Sequence, residues 1–386
     1  MANNRLLKEI NAIRCLRALR SSHGLSRSDI GRILNLSRMT VGNAVRSLIE
    51  KGLVVETEES ASPGGVGRPG IRVRLNPSGG YFVGIDISSS TMNAVLVDLT
   101  MKVVAHSMLA VQDISRDTAK MAQQFAVVPG ELLQKAGLPA KRLTGVGISV
   151  PGIVGTSGRV LSAPYLGWKD LDLQSLVSKR LKSRWPVRVV NDASAFAHSI
   201  LMERPEKDLR DTLLLLLSEG IGSSQIRQGQ IISGAHGFAG EIGHMILGAS
   251  MKEASSKTFE MLAGYNSLLP ALSPNVSVTN GLAALATKTP SSRASLLLER
   301  WANAFSVGLL NLIHILDPER IILGGPLAAI YPTVEEHIIA AIESGLVHGF
   351  TMPLIEIAES GGDSAAIGAA STIREELFAL PELHKL

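Results

Sequence analysis

The chain has 386 residues, of which 45% are hydrophobic, 19% charged and 4% aromatic. At roughly 150 residues per domain it holds two or three domains, with cores built from aliphatic, Ala and Gly packing. The single cysteine, Cys15, excludes an intramolecular disulfide framework and any cysteine-clustered zinc or iron–sulfur site, and it suits a reducing, cytoplasmic setting. The longest strongly apolar run, Leu213 to Leu217, is far short of the roughly 18 residues that span a bilayer, and the start (Asn3, Asn4, Arg5, Lys8) does not read as a secretory signal. Charge is placed unevenly: residues 1–77 carry 13 Lys+Arg against 6 Asp+Glu, a net +7, whereas the rest carries 25 against 28, a net −3. Such asymmetry marks a nucleic-acid-binding end on a differently employed body.

In the basic segment, Leu6, Ile10, Ile13, Leu16 and Leu19 recur at helical spacing and predict a first amphipathic helix ending near Ser21 to Gly24. Ser26 with Asp29 forms a capping-box-like start to a second helix, whose Ile30, Ile33 and Leu34 supply an apolar face. After a turn at Asn35-Leu36, Ser37 caps a third helix with Val41, Val45, Leu48 and Ile49 inward, closed by Lys51-Gly52. Its other side carries Arg38, Thr40, Asn43 and Arg46, residue types that reach phosphates and base edges in a major groove. The pattern is that of a helix-turn-helix; an ordinary solvated helix face is the alternative. Two strands are predicted at Leu53 to Thr57 and Ile71 to Leu75. Between them the Gly/Pro-rich loop from Ser62 to Gly70 suits a wing whose Arg68 enters a minor groove or rests on phosphate, or else an interdomain linker.

The body, residues 78–386, opens with three predicted strands at Tyr81 to Ile87, Val95 to Leu99 and Val103 to Val111. A helix near 117–136, a strand at Gly145 to Val150, another helix and a strand at Val187 to Val190 follow. A second hairpin then pairs Leu213 to Leu217 with Gln225 to Ile232. Antiparallel runs followed by strands alternating with helices, in two rounds, predict two similar α/β lobes with a cleft between them.

Gly84-Ile85-Asp86, Val150-Pro151-Gly152, Asn191-Asp192-Ala193, Gly220-Ile221-Gly222, Gly240 through Met245, Glu260 and Leu323-Gly324-Gly325 together, in this order, resemble the ROK family of repressors and sugar kinases over essentially the whole chain. The resemblance implies an N-terminal winged helix-turn-helix over residues 1–77 and a two-lobed, actin-like ATPase body. Asn191 and Asp192 follow a predicted buried strand and precede a helix, so they emerge at the ligand-facing edge of the sheet. In the family the matching Asn binds the sugar and the matching Asp takes a proton from its hydroxyl; capping the helix is the structural alternative for Asp192. Glu241 and His244, three apart, share one face of a helical turn. With Glu260, which matches another sugar-contacting Glu of the family, they supply acceptors and a switchable donor for several hydroxyls.

Two departures decide the expectation. Where relatives follow Glu-x-x-His with a cysteine zinc clip, this chain has Gly248 to Ser256 without a cysteine, so no metal is expected and the segment between His244 and Glu260 is expected to be held by packing alone. Kinases of the family carry Asp-x-Gly-Gly-Thr and Gly-Thr-Gly-Ile-Gly-Gly phosphate loops; here they read Asp86 followed by Ile87-Ser88-Ser89-Ser90, and Ser218-Glu219-Gly220-Ile221-Gly222-Ser223. Glu219 would oppose ATP phosphates by a few kcal/mol in a partly closed cleft. The expectation is therefore a sugar-responsive, DNA-binding repressor that forms a homodimer or homotetramer on operator DNA and binds sugar without zinc, ATP or phosphoryl transfer. The rival readings are a sugar kinase carrying a DNA-binding head, with Asp192 as its base, and a body that serves as a docking module for another protein.

Overall fold

The computed structural model describes residues 2–20, 22, 24–58, 71–111, 116–204, 208–248, 257–271, 281, 285, 292–359 and 361–379. The head comprises α1 (Ala2–Arg20), β1 (Leu25–Ser26), α2 (Arg27–Leu34), α3 (Arg38–Glu50), β2 (Val54–Glu58) and β3 (Ile71–Leu75). Ser26 Oγ accepts the Asp29 amide at 3.0 Å while the Asp29 carboxylate accepts the Ser26 amide, so the capping box starts α2 as the sequence predicts. Asn35 ends α2 in the left-handed region, and Ser37 Oγ accepts the Thr40 amide to start α3.

Two inward assignments in the head are corrected. Ile33 is 57% exposed and Ile49 38% exposed. The face of α2 that meets the core is set by buried Ile30, and Ile33 is rotated off it. In α3 the stripe runs through Val41, Ala44, Val45 and Leu48, and Ile49 lies about 100° beyond it at the end of the helix. The two-residue β1 pairs Leu25 with Val73 and Ser26 with Arg72, adding a third strand too short for sequence periodicity to reveal. The wing loop with Arg68 lies outside the described residues.

The first lobe contains β4 (Tyr81–Ile87), β5 (Thr91–Asp98), β6 (Val103–Ala110), α4 (Thr118–Lys135), β7 (Leu143–Val150), the small strands β8 (Ile153–Val154), β9 (Val160–Ala163) and β10 (Trp168–Leu171), α5 (Leu173–Arg180), β11 (Val187–Asn191) and α6 (Asp192–Glu203). The second contains β12 (Asp211–Leu217), β13 (Ile221–Arg227), β14 (Gln230–Ile231), α7 (Phe259–Ala263), α8 (Tyr265–Leu268), α9 (Ser292–Leu316), β15 (Arg320–Gly324), α10 (Tyr331–Gly345), β16 (Leu354–Ile357) and α11 (Ser364–Phe378). The sheets share one plan. β11-β7-β4-β5-β6 in the first corresponds to β16-β15-β12-β13-β14 in the second, with an antiparallel meander on one side of the central strand and parallel strands on the other. Leu213 to Leu217 form an unbroken apolar run because β12 is covered on both faces.

The partner of that run begins earlier than the sequence suggests. β13 starts at Ile221, paired with Leu217 across a turn closed by the Ser218 amide on Gly220 O at 3.0 Å. The predicted strand Gln225 to Ile232 is the end of β13, a left-handed turn at Gln228-Gly229 and the separate strand β14.

The helices that close the lobes cross over. α6 leaves β11 of the first lobe and buries Phe196, Ala197 and Ile200 against Leu214, Leu216, Ile226 and Ile322 of the second. α11 leaves the second lobe and packs on β4 and β7 of the first, its Ala366 and Ala369 carbonyls lying against Gly84 and Gly147. α6 and α11 also touch backbone to backbone: a Cβ on Gly368 would come within 1.7 Å of Ala195 O, so no larger residue fits there. The head is docked on the last turn of α11. Arg17 Nε donates to Phe378 O at 2.7 Å, Arg20 pairs with Glu375 at 3.2 Å, and Cys15, Leu16 and Leu19 share one apolar cluster with Leu99, Ile373 and Phe378. Among the described residues no helix is long and apolar enough to cross a membrane.

Candidate functional site

Between the lobes lies a cavity of about 350 Å³ into which Asn191, Asp192, Glu241, His244 and Glu260 all converge. The fold brings together every residue that the sequence analysis assigned to the sugar, from the end of β11, the segment after β14 and α7.

Asn191 is the N-cap of α6: its Oδ1 accepts the Ser194 amide at 3.0 Å, and its Nδ2 donates to Gly152 O and to Asp192 Oδ1, both at 2.9 Å. The capping role considered for Asp192 therefore falls to Asn191, whose amide also aims the Asp192 carboxylate. Asp192 Oδ1 further accepts the Ala193 amide at 2.9 Å. Burial, then repulsion from Asp86, pushes the Asp192 carboxyl up to about 8, opposed only in part by the amide hydrogen bond. Asp86 is itself raised to about 7 by burial, although it accepts Ser149 Oγ at 2.6 Å, and Glu219 adds to the shift. Burial and mutual repulsion thus raise two neighbouring carboxyls together.

Gly240 begins the segment carrying Glu241 and His244. It sits at φ +102°, and its carbonyl takes the Ser223 amide and hydroxyl; a Cβ there would lie 2.1 Å from Ser223 O, which makes glycine necessary. A 3₁₀ turn over Ile242–His244 then sets the two side chains on one side. The His244 ring lies between two carboxylates, 3.8 Å from Glu241 and 3.5 Å from Glu260. Burial raises the Glu241 carboxyl, with His244 lowering it and Glu260 raising it.

Glu260 is positioned differently from expectation. The Leu247 amide bonds Lys257 O and the Phe259 amide bonds Met245 O, both at 2.8 Å, around an isolated bridge between Ile246 and Thr258. Thr258 Oγ1 then caps α7. A short backbone ladder, rather than side-chain packing alone, fastens Glu260 opposite His244. Residues 249–256 lie outside the described residues. Among those described, no group of three or more His, Cys, Asp and Glu side chains is arranged to hold a metal ion. The chain's sole cysteine is buried in the head, so the donor set does not fit a cysteine zinc site.

Sequence reasoning missed Tyr165, in the short turn after β9. It lines the cavity near Gly220, and burial followed by the nearby Glu260, Glu219 and Asp192 charges pushes its hydroxyl up to about 12. That keeps it a hydrogen-bond donor. Pro164-Tyr165 in so aromatic-poor a chain was the available signal.

A second cavity, about 310 Å³, lies across Asp192 from the first and is lined by Asp86, Ser88, Ser218, Glu219 and Gly325. No Lys or Arg is among the described residues that line it. Here the first-loop serines meet Glu219: the Ser89 amide reaches both carboxylate oxygens at 3.2 Å, and Ser89 Oγ donates to Oε1.

On the head, Arg38, Asn43 and Arg46 stand exposed along α3, while Thr40 is half-buried with its hydroxyl 2.9 Å from Ser37 Oγ. Met39, 75% exposed beside Arg38, is a further apolar group on this side that the sequence analysis passed over.

A three-helix head with a small three-stranded sheet, riding on two lobes of common plan that enclose an acidic cavity, defines the winged-helix, actin-like class of protein. Comparison with known proteins makes this specific. The ROK family matches residues 82–376 and the MarR family matches residues 9–64, and the chain belongs to the ROK family. It is 26% identical to the xylose repressor of Caldicellulosiruptor bescii over 99% of this chain and 100% of that protein. It is also 25% identical to the DNA-binding transcriptional dual regulator NagC of Escherichia coli, over 64% of this chain and 59% of that one. Among solved structures, a ROK family transcriptional regulator described as a homolog of the E. coli MLC protein shares the fold with a TM-score of 0.76 and 21% identity, over 96% of this chain and 97% of that one. A ROK family glucokinase from Streptomyces griseus, solved with glucose and AMPPNP, aligns with a TM-score of 0.61 and 20% identity over 77% of this chain and 100% of that one.

Proposed function

We propose that this chain is a sugar-responsive, DNA-binding transcriptional repressor of carbohydrate-metabolism genes, whose body binds a sugar without phosphorylating it. Arg38, Thr40, Asn43 and Arg46 read the operator, Met39 offers an apolar contact for a thymine methyl, and Arg68 serves the wing. Asn191, Asp192, Glu241, His244 and Glu260 hold the sugar. Paired half-sites call for paired heads, hence a homodimer or homotetramer in the cytoplasm. Neither zinc nor ATP is needed.

The observation that carries this reading is the continuity from cavity to head. Asp192 is the first residue of α6, α6 lies backbone to backbone on α11, and the last turn of α11 holds Arg17 and Arg20 of α1. A sugar that prefers one lobe arrangement thereby biases the placement of the head. The kinase reading draws on Asp192; against it stands Glu219, a carboxylate in a cavity with no Lys or Arg among its described lining residues, where ATP phosphates would have to sit.

One preparation tests both. Operator binding is followed by fluorescence anisotropy against a panel of monosaccharides and N-acetylated sugars, and ADP formation is measured with each sugar and MgATP. We expect operator release by at least one sugar, loss of that response in Glu241→Ala and His244→Ala with sugar-free operator affinity retained, and no sugar-dependent ADP. ADP formation abolished by Asp192→Ala would establish the kinase instead.

A further inference from the structure

Glu219 is a charged side chain whose role the proposed function leaves open. It sits in the turn between β12 and β13 of the second lobe and reaches across the cleft to Ser89 of the first, 130 residues away in sequence. The contact has the form of anion recognition: one backbone N–H shared by both carboxylate oxygens, plus a hydroxyl donor. The loop is built to present that amide. Ser88 Oγ accepts the Ser90 and Thr91 amides at 3.3 and 3.0 Å and the Ser88 amide bonds Thr91 O, which leaves the Ser89 N–H as the amide turned to the cleft. With no Lys or Arg among the described lining residues, Ser89 supplies the donors that balance the Glu219 charge beside Asp86.

We infer that Glu219 is a built-in anionic ligand that latches the second lobe onto the Ser88–Ser90 loop of the first and sets the degree of cleft closure. The position needs a bridge. Other contacts also join the lobes: the helices α6 and α11 cross between them, and Asn93 Nδ2 of the first lobe donates to Gly362 O and Asp363 Oδ1 ahead of α11 at 3.1 and 2.8 Å; the Glu219–Ser89 contact differs in joining the two loops at the mouth of the cavity directly. A free phosphate-bearing ligand would have to displace the carboxylate to reach the same donors.

The latch is also next to the sugar pocket. Ser218 lines both cavities, and Gly220, one residue past Glu219, faces the Glu260 carboxylate so closely that a Cβ would lie 2.9 Å from Oε2. A ligand held by Glu260 and Asp192 therefore bears on the turn that carries the latch. This last link rests on the sugar-binding reading above; the latch itself does not, and its test uses no sugar.

The test measures lobe separation in the full-length protein. Spin labels at Glu131→Cys on α4 and Glu336→Cys on α10, both exposed and one in each lobe, are introduced in a Cys15→Ala background. Double electron–electron resonance, on labelled chain mixed with excess unlabelled chain so that only distances within one chain are read, then compares that parent with Glu219→Ala and Ser89→Ala. The expected result is a single narrow distance distribution in the parent, a distribution at least twice as wide or shifted in mean in Glu219→Ala, and a smaller change in Ser89→Ala, which keeps the backbone donor. Should Glu219→Ala fail to fold, Ser89→Ala carries the same test. Distributions superimposable on the parent overturn the latch. Failure of every sugar to release operator from the wild-type protein would instead overturn the repressor reading and leave the latch standing.

Discussion

Replacing Asp192 by Asn should change how stability depends on pH. The Asn side chain is isosteric and its Oδ1 can still accept the Asn191 Nδ2 and Ala193 amide hydrogen bonds, so local geometry is retained. What is removed is a carboxyl raised to about 8 in the folded chain, against about 3.9 in an unfolded one. Below pH 4 the group is protonated in both states and contributes no slope. Between pH 4 and 8 the unfolded chain has released its proton while the folded chain keeps it, so stability falls by about 1.4 kcal/mol per pH unit; above 8 the full penalty is present and the slope vanishes. From pH 6 to 8 Asp192 therefore costs the wild type about 2 kcal/mol, and Asp86, raised to about 7, adds on the order of 1 kcal/mol over the lower half of that range. Urea midpoints measured without sugar from pH 5.5 to 8.5 should fall steeply for wild type and more gently for Asp192→Asn, with the variant the more stable at pH 8. Parallel curves would refute the enclosure of Asp192 between the lobes.

In the head, Arg46→Ala should weaken operator binding by roughly 1–3 kcal/mol if its guanidinium reads a base, or lower the slope of log affinity against log salt by about one if it holds phosphate, and competition titrations at several salt concentrations separate the two. At the junction, Arg17→Ala combined with Arg20→Ala removes the hydrogen bond to Phe378 O and the Glu375 pair, and should leave sugar affinity within about twofold while blunting sugar-driven release of operator. Equal release by that variant and by wild type would place the transmission route elsewhere.

Much of this molecule is written in local sequence. The capping box at Ser26 and Asp29, the Ser37 cap and the apolar stripe of α3 follow from hydrogen-bond valence and helical periodicity, which involve neighbours a few residues apart. The duplicated strand pattern and the motifs around Asp86, Asn191-Asp192 and Gly240 to His244 likewise located the cleft and the carboxylates that line it, because each element presents them at its own end. The missing cysteines ruled out the zinc clip by composition alone.

Other features depend on groups distant in sequence, and only the tertiary structure decided them. Ile33 and Ile49 carry the right spacing, yet whether an apolar residue is covered depends on what packs above it, and both stay exposed. The raised carboxyls of Asp86 and Asp192 come from burial between two lobes. Glu260 is held by a ladder that pairs Ile246 with Thr258, twelve residues downstream, a pairing no periodicity announces. Glu219 reads in sequence only as a charge in the wrong place for ATP; its partnership with Ser89 exists because folding brings the two phosphate-type loops face to face. Crossing of α6 and α11 between the lobes, and the docking of α1 on the end of α11, were equally silent in the chain, since an alanine- and glycine-rich helix records that its neighbour is close without recording which neighbour it is.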